Sequence, residues 1–406
     1  MYFRSRRLEG LVDLNDVCRG DGMLFVRDGV GAAGRGSALE VAEHDLDRLL
    51  TALRPADGQD PPPGHGPHLF GVVPFLPGSP ARFVLPRTVV TKDADGGCYV
   101  TVVDSDAAFL TDSALDEAVA SALESTPPAP TANSFSVAPR MPVDEYLAAV
   151  EGARDAVRAG RLLKAVIARD VTVEAAAPID VHAVLLRLRA SFGNSYRFCV
   201  GGLIGASPEL LVQVQGRTVR SHPLAGTAPR TGDPDTDARL AAGLVASTKN
   251  QVEHRVVIDM VHDTLLPWCS YLDWEPEPSI VTVANVQHLG TAIEGALSEP
   301  RPSVMTLVRA LCPTPALGGS PSADAIEFIQ THEPMERGDY GGAVGTVDRH
   351  GDGTFAVTIR CAEFSADRRT ARLFAGGGIV AESDPAAELA ETQAKFQAML
   401  SAIVRP

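Results

Sequence analysis

The order of strand-like and helix-like segments in the C-terminal part of the chain constrains its fold most strongly. A segment with helical apolar spacing at 143–159 stops at Gly160, and LLKAVIARDVTVEA (162–175) then alternates as a strand does. Two strand segments, one long helix predicted from Asp235 to Leu266, three more strands and a last helix at 385–403 follow. Strands and helices do not alternate one for one, so the pattern predicts an α+β fold and not a doubly wound sheet.

The first 125 residues indicate short strands and loops with a helix or two. Here Gly29-x-Gly31-x-x-Gly34 follows an apolar run, as the glycines of a dinucleotide-binding loop do. That loop requires a helix that opens at the glycines, whereas the helical pattern begins only around Ala38. We therefore predict a glycine-rich hairpin or loop.

Two proline-rich segments interrupt the N-terminal part. Residues 55–68 are typical of an exposed loop, and residues 125–140 are typical of a connector. The connector is compatible with a boundary between two domains and with a crossing loop inside one domain.

Charge and composition exclude several classes of protein. The formal net charge of −15 argues against nucleic acid as a partner, because that role needs clustered cations. No run approaches the ~18 apolar residues of a membrane-spanning helix, and MYFRSRRLEG lacks the apolar segment of a secretory signal. The six cysteines contain no C-x-x-C pair, which favours reduced thiols. We expect a soluble, cytoplasmic protein that binds neither nucleic acid nor membranes.

Oxygen-bearing side chains share faces of two predicted helices. Glu388, Glu391 and Lys395 lie at spacings of three and four on the last helix, which by itself is typical of a solvated face with a Glu–Lys pair. The preceding GGGIVAESDP, however, predicts a flexible loop whose amides can approach an anion closely. Asn250 and Glu253 share a face of the long helix, so the two helices together could hold one hard cation such as Mg²⁺.

Two further residues are candidates for acid–base chemistry. Lys164 interrupts the apolar strand LLKAVIAR, either as a solvent-facing edge residue or as a partly desolvated amine that can act as a base. Glu209 opens the strand run ELLVQV, either as a simple boundary residue or, if buried, as a general acid with a raised pKa.

Eight sequence blocks resemble those of the chorismate-utilising enzymes and occur in the order of that family. They are IGASPELLV (204–212), SHPLAGTAPR (221–230), ASTKNQVEH (246–254), VQHLGTAIEG (286–295), PTPALGGSP (313–321), ERGDYGGAVGTVD (336–348), TIRCAEF (358–364) and LFAGGGIVAESDPAAELAETQAKFQAML (373–400). The resemblance implies a single domain over residues 1–406, with two large, mostly antiparallel sheets packed face to face and helices outside. Residues 1–140 would be a divergent part of this domain, and residues 141–403 would carry the motifs.

The branch of the family is indicated by three positions. Ala225 stands where aminodeoxychorismate synthases carry lysine, and Lys164 stands where the ammonia-using anthranilate synthases carry glutamine. Lysine there is typical of the water-using branch, and Pro313-Thr314-Pro315 opens a block that resembles isochorismate synthases. The resemblance thus implies a Mg²⁺-dependent isomerase that converts chorismate to isochorismate, for siderophore or other secondary metabolism, and acts as a monomer.

The resemblance also implies roles for individual residues. Lys164 would be the general base that activates water for attack on C2, and Glu209 the general acid that protonates the departing 4-hydroxyl. Glu253 and Glu391 would bind magnesium, with Glu388 supporting them directly or through water. The residues that would bind the substrate are Gly226, Thr227, His288, Arg360, Gly376 and Lys395.

Other functions stay open at this point. A salicylate synthase would add the same water and then eliminate pyruvate, and an anthranilate-type subunit would need a separate glutamine amidotransferase. A scaffold without activity is disfavoured, since Lys164 and Glu209 are both present. The chain departs from the family at three positions: Asn250 stands where an acidic residue is frequent, Thr248 where glutamate is frequent, and Cys312 where histidine is common. These departures bear on metal binding and on the subtype of the enzyme.

Overall fold

The computed structural model describes residues 1–125, 127, 133–284 and 286–405, without the side chain of Lys249. The connector predicted at 125–140 falls partly outside these residues, and strand structure is described in its second half, at Phe135–Pro139. Helices and strands are both abundant, so the predicted α+β class is confirmed.

The elements are numbered along the chain. The helices are α1 (Leu14–Cys18), α2 (Leu46–Ala52), α3 (Asp112–Leu123), α4 (Val143–Arg158), α5 (Val181–Phe192), α6 (Pro234–Ala246), α7 (Thr248–Leu265), α8 (Val304–Leu311), α9 (Ser322–His332) and α10 (Pro385–Val404). The strands are β1 (Tyr2–Arg7), β2 (Met23–Arg27), β3 (Val30–Arg35), β4 (Leu39–Ala42), β5 (Arg54–Pro55), β6 (His68–Val73), β7 (Arg82–Leu85), β8 (Thr88–Lys92), β9 (Cys98–Asp104), β10 (Phe135–Pro139), β11 (Lys164–Ala175), β12 (Tyr196–Val200), β13 (Leu203–Ser207), β14 (Leu210–Gln215), β15 (Thr218–His222), β16 (Leu224–Pro229), β17 (Cys269–Trp274), β18 (Ser279–Thr282), β19 (Val286–Gly290), β20 (Ile293–Leu297), β21 (Gly319–Ser320), β22 (Ala343–Asp348), β23 (Gly353–Val357), β24 (Cys361–Phe364) and β25 (Thr370–Ile379).

Two large sheets and one small sheet organise the described residues. The largest has the order β10-β11-β25-β24-β13-β12-β2-β3-β8-β9-β1-β5, with β21 beside β11. The second has the order β17-β20-β15-β14-β23-β22-β6-β7-β4, and the small sheet has the order β16-β19-β18. The pairings are antiparallel, as predicted, except that β1 runs parallel to β5, which makes the largest sheet mixed. Strands from before and after the connector lie side by side, since β2 pairs with β12 and β6 with β22.

The main hydrophobic core lies between the two large sheets. Phe25 and Phe198 of the largest sheet join Val72, Val212 and Phe355 of the second sheet in one buried cluster. Each such side chain contributes on the order of 1.5–3 kcal/mol through the apolar surface that it removes from water. A separate buried cluster joins α5 and α10 to the largest sheet, so these helices cover its outer side.

Local chemistry explains where several predicted elements begin and end. The helix predicted at 143–159 and the last helix are confirmed, the latter capped by Asp384, whose side chain accepts from the amide of Ala387. The glycine-rich hairpin is confirmed as well: Asp28 and Gly29 form its turn, both with positive φ, which the tight turns of hairpins require.

The long helix predicted from Asp235 to Leu266 is wrong in one respect. It is interrupted at Ser247, whose backbone is extended and whose hydroxyl accepts from the amide of Asn250. A serine in this position caps a new helix, so α6 ends and α7 begins there. The helical pattern placed near Ala38 is also wrong, because β4 follows and α2 begins only at Leu46.

Free thiols and short or polar helices characterise the described part of the chain. The six cysteines, all of which lie in that part, are free thiols. None of the helices described there is long and apolar enough to cross a membrane.

Candidate active site

A cavity of about 250 Å³ gathers the residues that the sequence singled out. Its walls come from β11 and β25 of the largest sheet, from β16 and β19 of the small sheet, and from α7 and α10. Every one of the eleven predicted site residues lines it, namely Lys164, Glu209, Gly226, Thr227, Glu253, His288, Arg360, Gly376, Glu388, Glu391 and Lys395. Their individual roles stay predictions.

Lys164 begins β11 and points into the protein. Its side chain is only 3% exposed, whereas the preceding Leu163 is 64% exposed, so the explanation of Lys164 as a solvent-facing edge residue is wrong. The ammonium Nζ donates to Oε1 of Glu253 on α7 over 2.8 Å. The base candidate and one metal-ligand candidate are therefore an ion pair.

Glu209 lies just before β14 and is almost completely buried. Burial raises the pKa of Glu209 to about 7, although the amide of Leu224 at 3.5 Å and the charges of Lys164 and Arg360 favour the ionised form. A carboxyl group with this pKa is partly protonated at neutral pH. It can therefore supply a proton to a leaving group in the cavity.

Two glycines of β25 make room for carboxylates. A Cβ atom added to Gly377 would lie 2.6 Å from Oε2 of Glu388, and one added to Gly378 would lie 2.6 Å from Oε1 of Glu253. Real Cβ atoms do not approach other atoms so closely, so any other residue would displace these side chains. The consecutive glycines thus let two helices place carboxylates directly on the strand.

The start of α10 supplies the remaining carboxylates. The hydroxyl of Ser383 donates to Oε1 of the buried Glu388 over 2.8 Å. Lys395 lies 2.5 Å from Oε1 of Glu391 and also donates to the carbonyl of Gly376 over 2.7 Å. Burial opposes ionisation of Glu391, but the charge of Lys395 outweighs it and lowers the pKa of Glu391 below its ordinary value.

The small sheet presents a neutral histidine, His288 on β19, to an arginine, Arg360, that directly precedes β24 of the largest sheet. Nε2 of His288 lies 3.2 Å from Nη2 of Arg360, and because a guanidinium only donates, this nitrogen must accept. Nδ1 then carries the hydrogen and donates to the carbonyl of Gly226 (3.0 Å), with Thr227 Oγ1 at 3.2 Å. Burial and the charges of Arg360 and Lys395 lower the pKa of His288 to about 3, so it stays neutral.

Arg360 has a donor to spare. It is buried, has a positive φ of 52°, and its Nε has no hydrogen-bond partner among the described residues. Unpaired buried donors are rare and costly. Because Arg360 lines the cavity, an anionic ligand group would satisfy this donor, and a carboxylate fits a guanidinium best.

Sequence reasoning gave no role to several residues that shape the cavity. Tyr340 lines it and stacks on Phe374, with ring centres 5.1 Å apart. Ser383 does not line it but positions Glu388. The only sequence signal for Tyr340 is that it lies inside the block ERGDYGGAVGTVD.

A buried ion pair supports one wall from behind. Arg337 donates to both carboxylate oxygens of Glu333, at 2.7 and 2.6 Å. It also donates to the carbonyls of Leu317 and Val166, two residues that line the cavity. This guanidinium therefore ties the chain before α9 to β11.

Whether the cavity suits a magnesium ion depends on its donor atoms. The described residues contain no ready-made group of three or more His, Cys, Asp or Glu side chains that could hold a metal ion. Glu253 and Glu391 instead contact lysines. Mg²⁺ nevertheless prefers carboxylate oxygens and uses only one or two of them beside water and substrate. The donors fit the ion, although they are not arranged around it.

A larger cavity, of about 490 Å³, lies elsewhere, beside the turn between β2 and β3. It contains none of the predicted site residues. The smaller cavity is the candidate active site, because the predicted acid, base and anion-binding residues converge there.

Known proteins resemble the chain over nearly its whole length. A family model described as "Chorismate binding enzyme" matches residues 34–404. Isochorismate synthase DhbC of Bacillus subtilis is 40% identical over 282 residues, which are 67% of this chain and 70% of that protein. The vibriobactin-specific isochorismate synthase of Vibrio cholerae is 33% identical over 341 residues, 83% and 79% of the two chains. The structure of MenF, the menaquinone-specific isochorismate synthase from Escherichia coli, shares the fold, with a TM-score of 0.83, 24% identity and coverage of 98% of this chain and 94% of that one.

Proposed function

The chain belongs to the chorismate-binding enzyme family, and we propose that it is an isochorismate synthase. The observation that carries the proposal is the buried Lys164 in the same cavity as the buried, partly protonated Glu209. A base and an acid in one cavity suit the addition of water at one ring carbon and the loss of a hydroxyl from another.

The two groups divide the proton transfers. Lys164, after its ammonium has released a proton to solvent, takes a proton from water as the water oxygen bonds to C2 of chorismate, and the ring double bonds shift. Glu209 gives its proton to the 4-hydroxyl, because hydroxide is a poor leaving group and water is a good one. The C4–O bond breaks and water leaves, so the net change is an isomerisation. Before the next turnover Lys164 returns a proton to solvent and Glu209 takes one up.

The remaining residues bind and orient the substrate. The spare Nε of Arg360 is the natural donor to a substrate carboxylate, and the neutral His288 fixes the guanidinium beside it. Glu253 and Glu391 would hold magnesium, with Glu388 in support. When bound, the ion would neutralise the substrate's ring carboxylate and orient the ring. The positive charges of Arg360 and of the bound ion would offset the net charge of −15, which otherwise repels an anionic substrate.

The biological setting is proposed from the relatives. A role in siderophore biosynthesis is supported by the vibriobactin-specific relative. That the protein is a monomeric isomerase rests on the resemblance of its sequence to the family, and the proposal of a cytoplasmic location rests on its scattered cysteines.

The test is a product analysis with purified protein, chorismate and Mg²⁺, with and without EDTA. We expect a mixture of chorismate and isochorismate that forms only with the metal and without pyruvate. Salicylate together with pyruvate would assign the protein to the lyase branch. A reaction that needs ammonia would overturn the proposed role of Lys164.

A variant pair adds a residue-level test. Lys164→Ala should lower kcat by roughly 10²–10⁴-fold, because the general base is lost. Lys92→Ala is the matched control, since the side chain of Lys92 contacts a backbone carbonyl far from the cavity. Equal activity of the two variants would leave Lys164 without a catalytic role.

A further inference from the structure

Lysine is scarce in this chain and concentrated at the cavity. Of 36 basic residues only four are lysines, namely Lys92, Lys164, Lys249 and Lys395. Of the three lysines whose side chains the structure describes, Lys164 and Lys395 line the cavity, and both contact a carboxylate that the proposed function assigns to magnesium. Lys164 lies 2.8 Å from Glu253, and Lys395 lies 2.5 Å from Glu391.

The Lys164–Glu253 ion pair is shielded from water more completely than the Lys395–Glu391 pair. The side chains of Lys164 and Glu253 are 3% and 11% exposed, and those of Lys395 and Glu391 are 11% and 31% exposed. A carboxylate that loses its partner in such surroundings is strongly destabilised. Loss of its cationic partner is therefore costly for Glu253 in particular, whether that partner is an ammonium or a metal ion.

The first pair also fills a defined space above β25. A Cβ atom on Gly378 would lie 2.6 Å from Oε1 of Glu253 and 2.6 Å from Cε of Lys164. The oxygen of Glu253 that lies against β25 is thus the one to which the ammonium donates. An ammonium and a magnesium ion cannot both occupy the same side of this oxygen.

Lysine is better suited than arginine to an ion pair that must separate when a metal ion binds. Its ammonium is a compact charge on a flexible stem, whereas an arginine fork holds both carboxylate oxygens at once. At Glu333 the chain uses an arginine in that way, and both side chains of the pair are almost completely buried. At Glu253 it uses lysine, through a single oxygen.

We propose that Lys164 and Lys395 are internal stand-ins for magnesium, and that the ion displaces the ammonium of Lys164 from Glu253 when it binds. The inference rests on the proposed function, because it assigns the metal to these carboxylates. Displacement also frees Lys164 to release a proton to solvent and to turn toward the substrate as a neutral amine. Metal binding and the positioning of the base are therefore one event, linked through Glu253.

The test observes the lysines directly in the full-length protein without chorismate. With lysine labelled at ¹³Cε and ¹⁵Nζ, four side-chain signals are expected, and Lys→Met variants assign them. An ammonium held to a buried carboxylate exchanges its protons slowly with water. On titration with Mg²⁺, the ¹⁵Nζ–H signal of Lys164 should disappear and its ¹³Cε signal should shift, while Lys92 stays unchanged.

Calorimetry of Mg²⁺ binding supplies the second readout. Lys164→Met removes the internal competitor and should bind Mg²⁺ about tenfold more tightly than the wild type, which amounts to about 1.4 kcal/mol. Lys92→Met should bind as the wild type does. Should Lys164→Met fail to fold, the spectra of the wild type decide alone.

The outcomes separate this inference from the function. If Mg²⁺ saturates the protein while the Lys164 signals stay unchanged, or if Lys164→Met binds Mg²⁺ no more tightly, the stand-in role is overturned even though isochorismate forms. If the lysine signals respond but chorismate is not converted to isochorismate, the proposed function fails and the exchange of cations stands. Absence of any response to Mg²⁺ by either method overturns the inference.

Discussion

Replacing Glu209 by glutamine tests the acid of the proposed mechanism. Burial raises the pKa of Glu209 to about 7, against about 4.3 for an exposed glutamate. The protein thus disfavours the charged form by about 3–4 kcal/mol. If the protonated form is the active one, kcat/KM should fall tenfold per pH unit above about pH 7. Glu209→Gln cannot release a proton, so kcat/KM should drop by roughly 10²–10⁴-fold and lose this descending limb.

The same substitution should change the pH dependence of stability. Since the pKa of Glu209 is raised in the folded state, its contribution is most favourable below about pH 4.3 and is lost as the pH rises toward 7. Glutamine does not ionise. As the pH rises from 5 to 8, the wild type should therefore lose about 3 kcal/mol of unfolding free energy that Glu209→Gln does not lose, as measured by urea unfolding at each pH.

A second glutamate provides the control. Burial also raises the pKa of Glu363, which lies on β24 outside the cavity. Glu363→Gln should keep both the rate and the descending limb. The reasoning is refuted if the kcat/KM of the wild type is constant from pH 6 to pH 9, or if Glu209→Gln retains the limb.

Two further substitutions test the supports of the site. Gly377→Ala places a Cβ 2.6 Å from Glu388 Oε2 and should weaken Mg²⁺ binding roughly 10–100-fold by calorimetry, whereas Gly152→Ala on α4, 3.6 Å from its nearest neighbour, should not. Unchanged affinity in the first variant would contradict the placement of Glu388 at the metal. Arg337→Met strands the buried carboxylate of Glu333 and should cost about 3–5 kcal/mol of unfolding free energy in urea. Adding Glu333→Leu should recover most of that loss, and a single variant as stable as the wild type would show that the pair is not structural.

Local patterns in the sequence were sufficient for much of the fold. The apolar spacing of 143–159 and the stop at Gly160 predict α4, because helix periodicity and a terminal glycine are local properties. The break at Ser247 was missed for a physical reason. A serine is tolerated inside a helix and also caps one, and only the surrounding packing selects between these states.

The sequence was likewise sufficient for the residues of the candidate site but not for their contacts. Resemblance to a family was enough to select the eleven residues that the structure brings to one cavity. Their contacts could not be predicted, because they join distant parts of the chain: Lys164 meets Glu253 across 89 positions. The spare donor of Arg360 is likewise visible only once its neighbours in space are known.

The position of β25 has a consequence for how the protein is made. This strand, at Thr370–Ile379, inserts between β11 and β24, although β11 ends at Ala175. A ribosome that adds about 5–20 residues per second needs roughly 10–40 s to synthesise the intervening chain, during which the inner edge of β11 has no partner. Unpaired strand edges recruit other chains. Nascent chains therefore expose this strand edge until β25 emerges, and products truncated before Thr370 should accumulate as aggregates, whatever the state of their active-site residues.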